Sequence, residues 1–275
     1  MATTAPSFFN NWEMPKFASI KTATDMSGHS KWSTIKRKKG ALDAKRSKIF
    51  TKIIKEITVA VREGGADPDG NPRLRLAIQN SKAANMPKDN VERAVKKGSG
   101  SDGATYTELS YEGYATNGVA VFVECMTDNL NRTVQNIRSA FNKHGGSLGT
   151  NGSLEFIFDR KGVFVLKLAD NAALEEETFT LEMIDAGAED LVFEEEYVTV
   201  YCAMEDFGAL QKKMEDLKLE VENAGLQRIP KTTVALEGEA LKKVLKFIDV
   251  LEDDDDVQKV YHNLELNDEV LEALD

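Results

Sequence analysis

The chain has 275 residues, 41% hydrophobic and 29% charged, with a formal net charge of −11. That length suits two or three domains of ordinary size. No apolar run approaches the ~20 residues needed to span a bilayer, which excludes a helical membrane protein. The two cysteines, Cys125 and Cys202, sit in apolar runs with no Cys or His at metal-ligand spacing. They read as reduced structural thiols, which suits a reducing, cytoplasmic setting.

The net charge conceals a division. Residues 26–98 carry 18 Lys and Arg against 7 Asp and Glu, a net of +11. Residues 99–275 carry 15 against 37, a net of −22, and the first 25 residues sum to zero. One-sided positive charge is the footprint of a surface that meets phosphates.

In chain order, residues 1–25 have no Arg, no clear period and no contiguous apolar core, so they suit neither a secretory signal nor a mitochondrial presequence. They read as a disordered leader or extension, with Met26 opening the folded part. Residues 26–103 read as a basic helical domain and linker. From Leu42 to Arg62, Ile49, Ile53, Ile57 and Ala60 make the stripe of an amphipathic helix. Gly64-Gly65 stops it. Asn71 is the expected N-cap of a second helix, with Pro72 at its first position. Pro87 breaks that helix and begins a third, which Gly98 closes. Such a bundle is too small to bury much alone and should lean on the rest of the chain.

After the Gly/Ser stretch 98–103 the pattern becomes strands alternating with helices. Val119–Cys125, Ser153–Phe158, Thr232–Leu236 and Val257–Leu264 read as strands, with helices at Asn131–His144 and Ala240–Leu251. Between them, Gly162–Leu168, Leu174–Ala186, Asp190–Glu194, Tyr197–Ala203, Phe207–Leu217 and Leu219–Arg228 alternate as a complete βαββαβ unit. The expected fold is α+β in three domains: the helical bundle, then two ferredoxin-like α+β domains, one inserted in the other. The outer one takes residues 104–159 and 232–275, and the insert takes 160–231.

The densest functional candidate is Lys31, Trp32, Lys36, Arg37, Lys38, Lys39, Lys45, Arg46, Lys48 and Lys52. Lysine and arginine neutralise phosphates and release counterions, and an exposed Trp can stack on an unpaired base. A polar loop, Asn85, Met86, Pro87 and Lys88, separates two helices and would present an exposed methionine and a lysine to a partner or RNA. The acidic run Glu252–Asp256 lacks the glycine turn and alternation of a calcium loop and reads as solvated. The histidines, His29, His144 and His262, are scattered. No phosphate-binding glycine loop, nucleophile elbow or zinc signature is present, so neither an enzyme nor a cofactor or metal is expected.

Several longer motifs carry a family resemblance: Ser27-Gly28-His29-Ser30-Lys31-Trp32, Asn85-Met86-Pro87-Lys88-Asp89-Asn90 with Arg93-Ala94-Val95-Lys96-Lys97-Gly98, Thr127-Asp128-Asn129 with Asn131-Arg132-Thr133, His144-Gly145-Gly146 and Gly152-Ser153. The chain from Met26 to about Leu266 is similar to the YebC/PmpR family. That family includes bacterial proteins described as probable transcriptional regulators and the mitochondrial translational activator of cytochrome oxidase. It departs at Tyr114-Ala115-Thr116-Asn117-Gly118, where the family usually has a Gly-Pro-Gly-Gly type turn. The resemblance implies a helical head followed by two α+β domains. It also implies a non-enzymatic, nucleic-acid-binding regulator of gene expression acting through the basic head. The family's other described role implies the alternative, a ribosome-associated translation factor that relieves stalling by contacting ribosomal RNA or tRNA. The expected partner is therefore nucleic acid, DNA or RNA, with the ribosome as the alternative. Neither a membrane nor a small-molecule substrate is expected, and the chain is expected to be a monomer.

Overall fold

The computed structural model describes residues 43–100, 105–172 and 174–265, with side chains from residue 46 onward. Three helices come first: α1 (Asp43–Gly64), α2 (Pro72–Ala83) and α3 (Lys88–Ser99). The cap expected at Asn71 forms: its side chain accepts from the Leu74 amide, and its own amide group donates to the carbonyls of Ala60 and Gly65. One asparagine thus starts α2 and ties it to the end of α1. Ile57, Ala60, Val61, Leu74, Ala77 and Ala94 pack between the three helices. Gly98 lets α3 approach α1 closely, because a Cβ there would lie 2.7 Å from the Val61 Cβ.

Two antiparallel four-stranded sheets follow. The first has strands β1 (Thr107–Tyr114), β2 (Ala120–Thr127), β3 (Ser147–Leu148) and β8 (Val257–His262), in the order β3-β1-β2-β8. The second has β4 (Phe158–Lys167), β5 (Ala188–Phe193), β6 (Tyr197–Ala203) and β7 (Val221–Pro230), in the order β5-β6-β4-β7. All strands of the second sheet fall between β3 and β8 in the chain. Its elements, with α5 (Glu176–Asp185) and α6 (Phe207–Asp216), run βαββαβ.

Strand β2 is buried on both faces. Val121, Val123 and Cys125 face α4 (Leu130–Lys143) and α7 (Gly238–Glu252), while Ala120 and Phe122 face Leu154, Phe158 and Tyr261. Where α4 meets α7, the Phe141 and Phe247 rings meet edge to face, 4.8 Å apart. In the second sheet Phe164, Leu166, Val198, Val200 and Cys202 pack on Phe179 and Met183 of α5 and Leu210 and Met214 of α6.

The α+β class, the helical head and the two sheets are as expected, but the first sheet is built differently in three places. Thr107–Tyr114, unassigned from the sequence, is a full strand paired along its length with β2. Its Glu112 is 4% exposed, a burial the alternation conceals, because its carboxylate accepts from the Gly152 and Leu154 amides and so needs no water. The expected strand Ser153–Phe158 is a set of turns up to Ile157, from which β4 departs. Leu154 and Ile157 point inward at turn spacing and leave Phe156 69% exposed. The expected strand Thr232–Leu236 reduces to one bridge, Val234 to Leu264. The departure from the family's turn at 114–118 is a short 3₁₀ segment with Asn117 and Gly118 at positive φ.

Candidate nucleic-acid interface

Of the basic residues singled out, Lys31, Trp32, Lys36, Arg37, Lys38 and Lys39 lie outside the described residues, and Lys45 is described for its backbone alone. The others lie on α1, where Arg46 is exposed. Lys48, Lys52 and Lys55 recur at helical spacing on one face, and that face meets the loop between α7 and β8. Lys48 pairs with the Asp253 carboxylate at 2.7 Å and also donates to its carbonyl. Lys52 donates to the Glu252 carbonyl at 3.1 Å. Lys55 is buried and donates to the carbonyls of Met126 and Asp255 and to the Asp256 carboxylate.

Asp256 is the hub of this junction, and the reading of the acidic run as merely solvated gives way here. Asp256 is 2% exposed. Its carboxylate accepts from Arg132 at 2.8 Å, from the Thr133 hydroxyl at 2.9 Å and from Lys55 at 3.2 Å. Burial by itself would raise its pKa, but those three donors outweigh it and hold the carboxyl below the usual range. Arg132 also reaches Asp128 and the Thr127 hydroxyl, and Asn129 caps α4 by accepting from the Arg132 amide. The motif Thr127-Asp128-Asn129 with Arg132-Thr133 is therefore a joint that fixes α1 to the first sheet unit.

Two further joints hold the head. Arg73 at the start of α2 binds Glu56, Glu63 and Glu108, reaching from α1 to β1. Burial alone would lower its pKa, but the bonds to Glu56 and Glu108 raise it above the ordinary value. On α2, the Asn80 side chain donates to the Ala224 carbonyl at 3.0 Å and accepts from its amide at 3.2 Å. Strand β7 is an edge strand, so one side chain satisfies a backbone pair that another strand would otherwise seek.

The polar loop departs from expectation at its methionine. Met86 is 8% exposed. Asn85 takes φ 55°, the Met86 amide donates to the Ser81 carbonyl and the Asn85 amide to that of Lys82. This is the Schellman ending of a helix, in which the residue after the left-handed one folds back onto the helix. Pro87 and Lys88 are exposed, and Lys88 pairs with Glu92.

Helix α3 presents a different surface. Arg93, Lys96 and Lys97 are exposed and share one face at i, i+3 and i+4 spacing. Arg93 bonds to the Asp89 carbonyl and the Asn90 side chain, and none of the three pairs with a carboxylate among the described residues. Lys97 lies 5.9 Å from the centre of the Tyr106 ring, a half-buried side chain that Lys55 also approaches at 5.5 Å.

Among the described residues no group of three His, Cys, Asp or Glu could hold a metal. Cys125 and Cys202 are free, and burial pushes their thiols up to about 12 and about 11, which suits structural rather than reactive groups. A groove between α4 and α7, lined by residues including Asn136, His144, Val250 and Asp254, has a volume of about 220 Å³. Small-molecule sites are typically ~300–1,000 Å³. No helix among the described residues is long and apolar enough to cross a membrane.

The described residues thus form a three-helix head fastened to two α+β sheet units, with cations exposed on the head. The chain belongs to the TACO1/YebC family: residues 30–101 match the model of the N-terminal domain of that family, and residues 106–264 match that of its second and third domain. It is 56% identical to a "Probable transcriptional regulatory protein" of Amoebophilus asiaticus, over 89% of this chain and all of that one. A protein of similar description from Desulforapulum autotrophicum is 49% identical over 90% of this chain and all of the relative. The crystal structure of a conserved hypothetical protein from Aquifex aeolicus superposes with a TM-score of 0.74. It is 42% identical, and the match covers 83% of this chain and 94% of that one.

Proposed function

We propose that this chain is a non-enzymatic, nucleic-acid-binding regulator of gene expression that binds through its basic N-terminal helical domain. The observation that carries the reading is the segregation of charge: a net of +11 over residues 26–98 against −22 over the rest. Lysine and arginine on the head supply attraction to phosphate, and the acidic sheet units restrict contact to one side of the molecule. The relatives described as probable transcriptional regulatory proteins support the regulatory role.

A second reading places the same head on ribosomal RNA, as part of a translation factor. One feature favours it. A helix that reads a duplex offers its N-terminal residues to base edges in the major groove. The first turns of α3 instead carry Asp89 and Glu92 beside Lys88. Phosphate contacts position a protein without reading bases. Co-sedimentation with purified ribosomes across a salt series, beside a gel shift on random duplex DNA, separates the two. Ribosome association that outlasts duplex binding as salt rises selects the translation role. Sequence-preferring duplex binding without ribosome association selects the transcriptional one. The common proposal fails if changing Lys36, Arg37, Lys38 and Lys39 to Glu, with the fold intact, leaves all nucleic-acid binding unchanged.

A further inference from the structure

We infer that the exposed face of α3, carrying Arg93, Lys96 and Lys97, together with the Tyr106 ring, is a contact surface for an unpaired segment of RNA. The inference rests on the nucleic-acid reading above and locates it away from the described part of α1. Lys48, Lys52 and Lys55 already spend their donors on Asp253, Glu252, Asp255, Asp256 and Met126. A phosphate would have to displace those bonds. The three cations of α3 are paired with no carboxylate among the described residues, and Arg93, which bonds to the Asp89 carbonyl and the Asn90 side chain, keeps further guanidinium donors for a phosphate.

The spacing suits the phosphates of one strand. At 100° and 1.5 Å per residue, Arg93, Lys96 and Lys97 span about 100° of the helix surface and about 6 Å of its length. That is close to the separation of neighbouring phosphates along any one strand, so the face can meet two phosphates of the same strand, and the choice of an unpaired strand rests on Tyr106. Lys96 and Lys97 occupy the last turn, where they offset the negative pole of the helix, so the attraction for phosphate comes from the side-chain charges alone. Tyr106 then supplies what phosphate contact lacks. Its ring is partly exposed and already holds two ammonium groups near it. A base entering against the ring sends Lys97 toward the phosphate beside it. Stacking of this kind needs a base free of its partner, and such bases are presented chiefly by RNA loops and single strands.

The test measures binding of the full chain to a labelled twelve-residue uridine RNA and to a random duplex DNA, each over a salt series. Changing Arg93, Lys96 and Lys97 together to Gln is expected to weaken RNA binding roughly tenfold or more. It should also reduce the slope of log affinity against log salt by about 2, near 0.7 per lost phosphate contact on a single strand. Tyr106→Ala is expected to weaken RNA binding roughly tenfold while Tyr106→Phe restores it and duplex binding stays unchanged. Circular dichroism and the unfolding midpoint confirm that each variant is folded. If the wild type binds the RNA and the triple variant binds it equally well with the same slope, the inference is wrong and the broader reading stands. If loss on Tyr106→Ala is equal for RNA and duplex, the assignment to an unpaired strand is wrong. If the wild type binds neither nucleic acid, the broader reading falls and this surface with it.

Discussion

Helices α1 and α3 both carry lysines on a basic head, yet the two sets of cations are placed differently. Those of α1 at 48, 52 and 55 are bonded to the loop at 252–256, and those of α3 at 93, 96 and 97 face solvent. Local positive charge therefore marks two things at once, a joint within the molecule and a face left open to solvent. Only the placement of the carboxylates tells them apart.

The largest effect should come from breaking the joint. Asp256→Ala removes the acceptor shared by Lys55, Arg132 and Thr133 and leaves a buried ammonium without its carboxylate. The expected cost is ~3–5 kcal/mol, read from the shift of the denaturant midpoint at constant slope. A change under about 1 kcal/mol would show that the joint is not structural. Next is the seam between the two helices themselves. Gly98→Ala drives a methyl against Val61 and the Thr58 carbonyl, and should cost ~1–3 kcal/mol unless the helices separate.

The joint should also be sensitive to acid. The folded pKa of Asp256 lies below its unfolded value, so its contribution is full above about pH 4 and lost as the pH falls through the lowered folded value. Acid unfolding of the wild type should accordingly be steeper in that window than that of Asp256→Asn, and parallel curves would remove Asp256 from the account. The smallest effect sharpens the contrast from the other side. Asp253→Asn removes the carboxylate from the exposed pair with Lys48 and leaves only the bond to the Asp253 carbonyl, with a stability change of ~0–1 kcal/mol. Lys48 then joins the cations available to phosphate, so the salt dependence of RNA binding should steepen by no more than about 0.7. An unchanged slope would mean that α1 stays out of reach even when released.

The sequence makes some of this plain and hides the rest for identifiable reasons. Asn71 with Pro72 announces the start of α2, and the apolar run of β2 announces a strand buried on both faces, because each rests on local chemistry. Strand β1 escapes because it buries Glu112, whose hydrogen-bond donors lie some 40 residues further on. The turns at 153–157 imitate a strand because Leu154, Phe156 and Phe158 alternate in sequence, although Phe156 is exposed and Ile157 turns inward in its place. Asp256 looks like one more member of a solvated acidic run, and nothing local reports that Lys55 and Arg132 converge on it. The cations of α3 were visible as a motif, but their availability is a property of what does not face them. Met86 is hidden by the same logic, since the backbone turn at Asn85 tucks it away while the residues on either side stay polar.

The interleaving of the two sheets has a consequence for the order of assembly. Val121 of β2 pairs with His262 of β8, and the whole second sheet lies between them in the chain. On the ribosome, β2 and its hairpin partner β1 emerge early, but the strand that covers the other side of β2 is made only after β4 to β7. Through that interval an apolar strand keeps one row of amides and carbonyls open, which is the condition that invites pairing with another chain. The second sheet unit, whose strand pairs are all local to it, is free to fold meanwhile. Completion of the first sheet thus waits until the second has been made, and the Asp256 joint, which sits one residue before β8, cannot close before then.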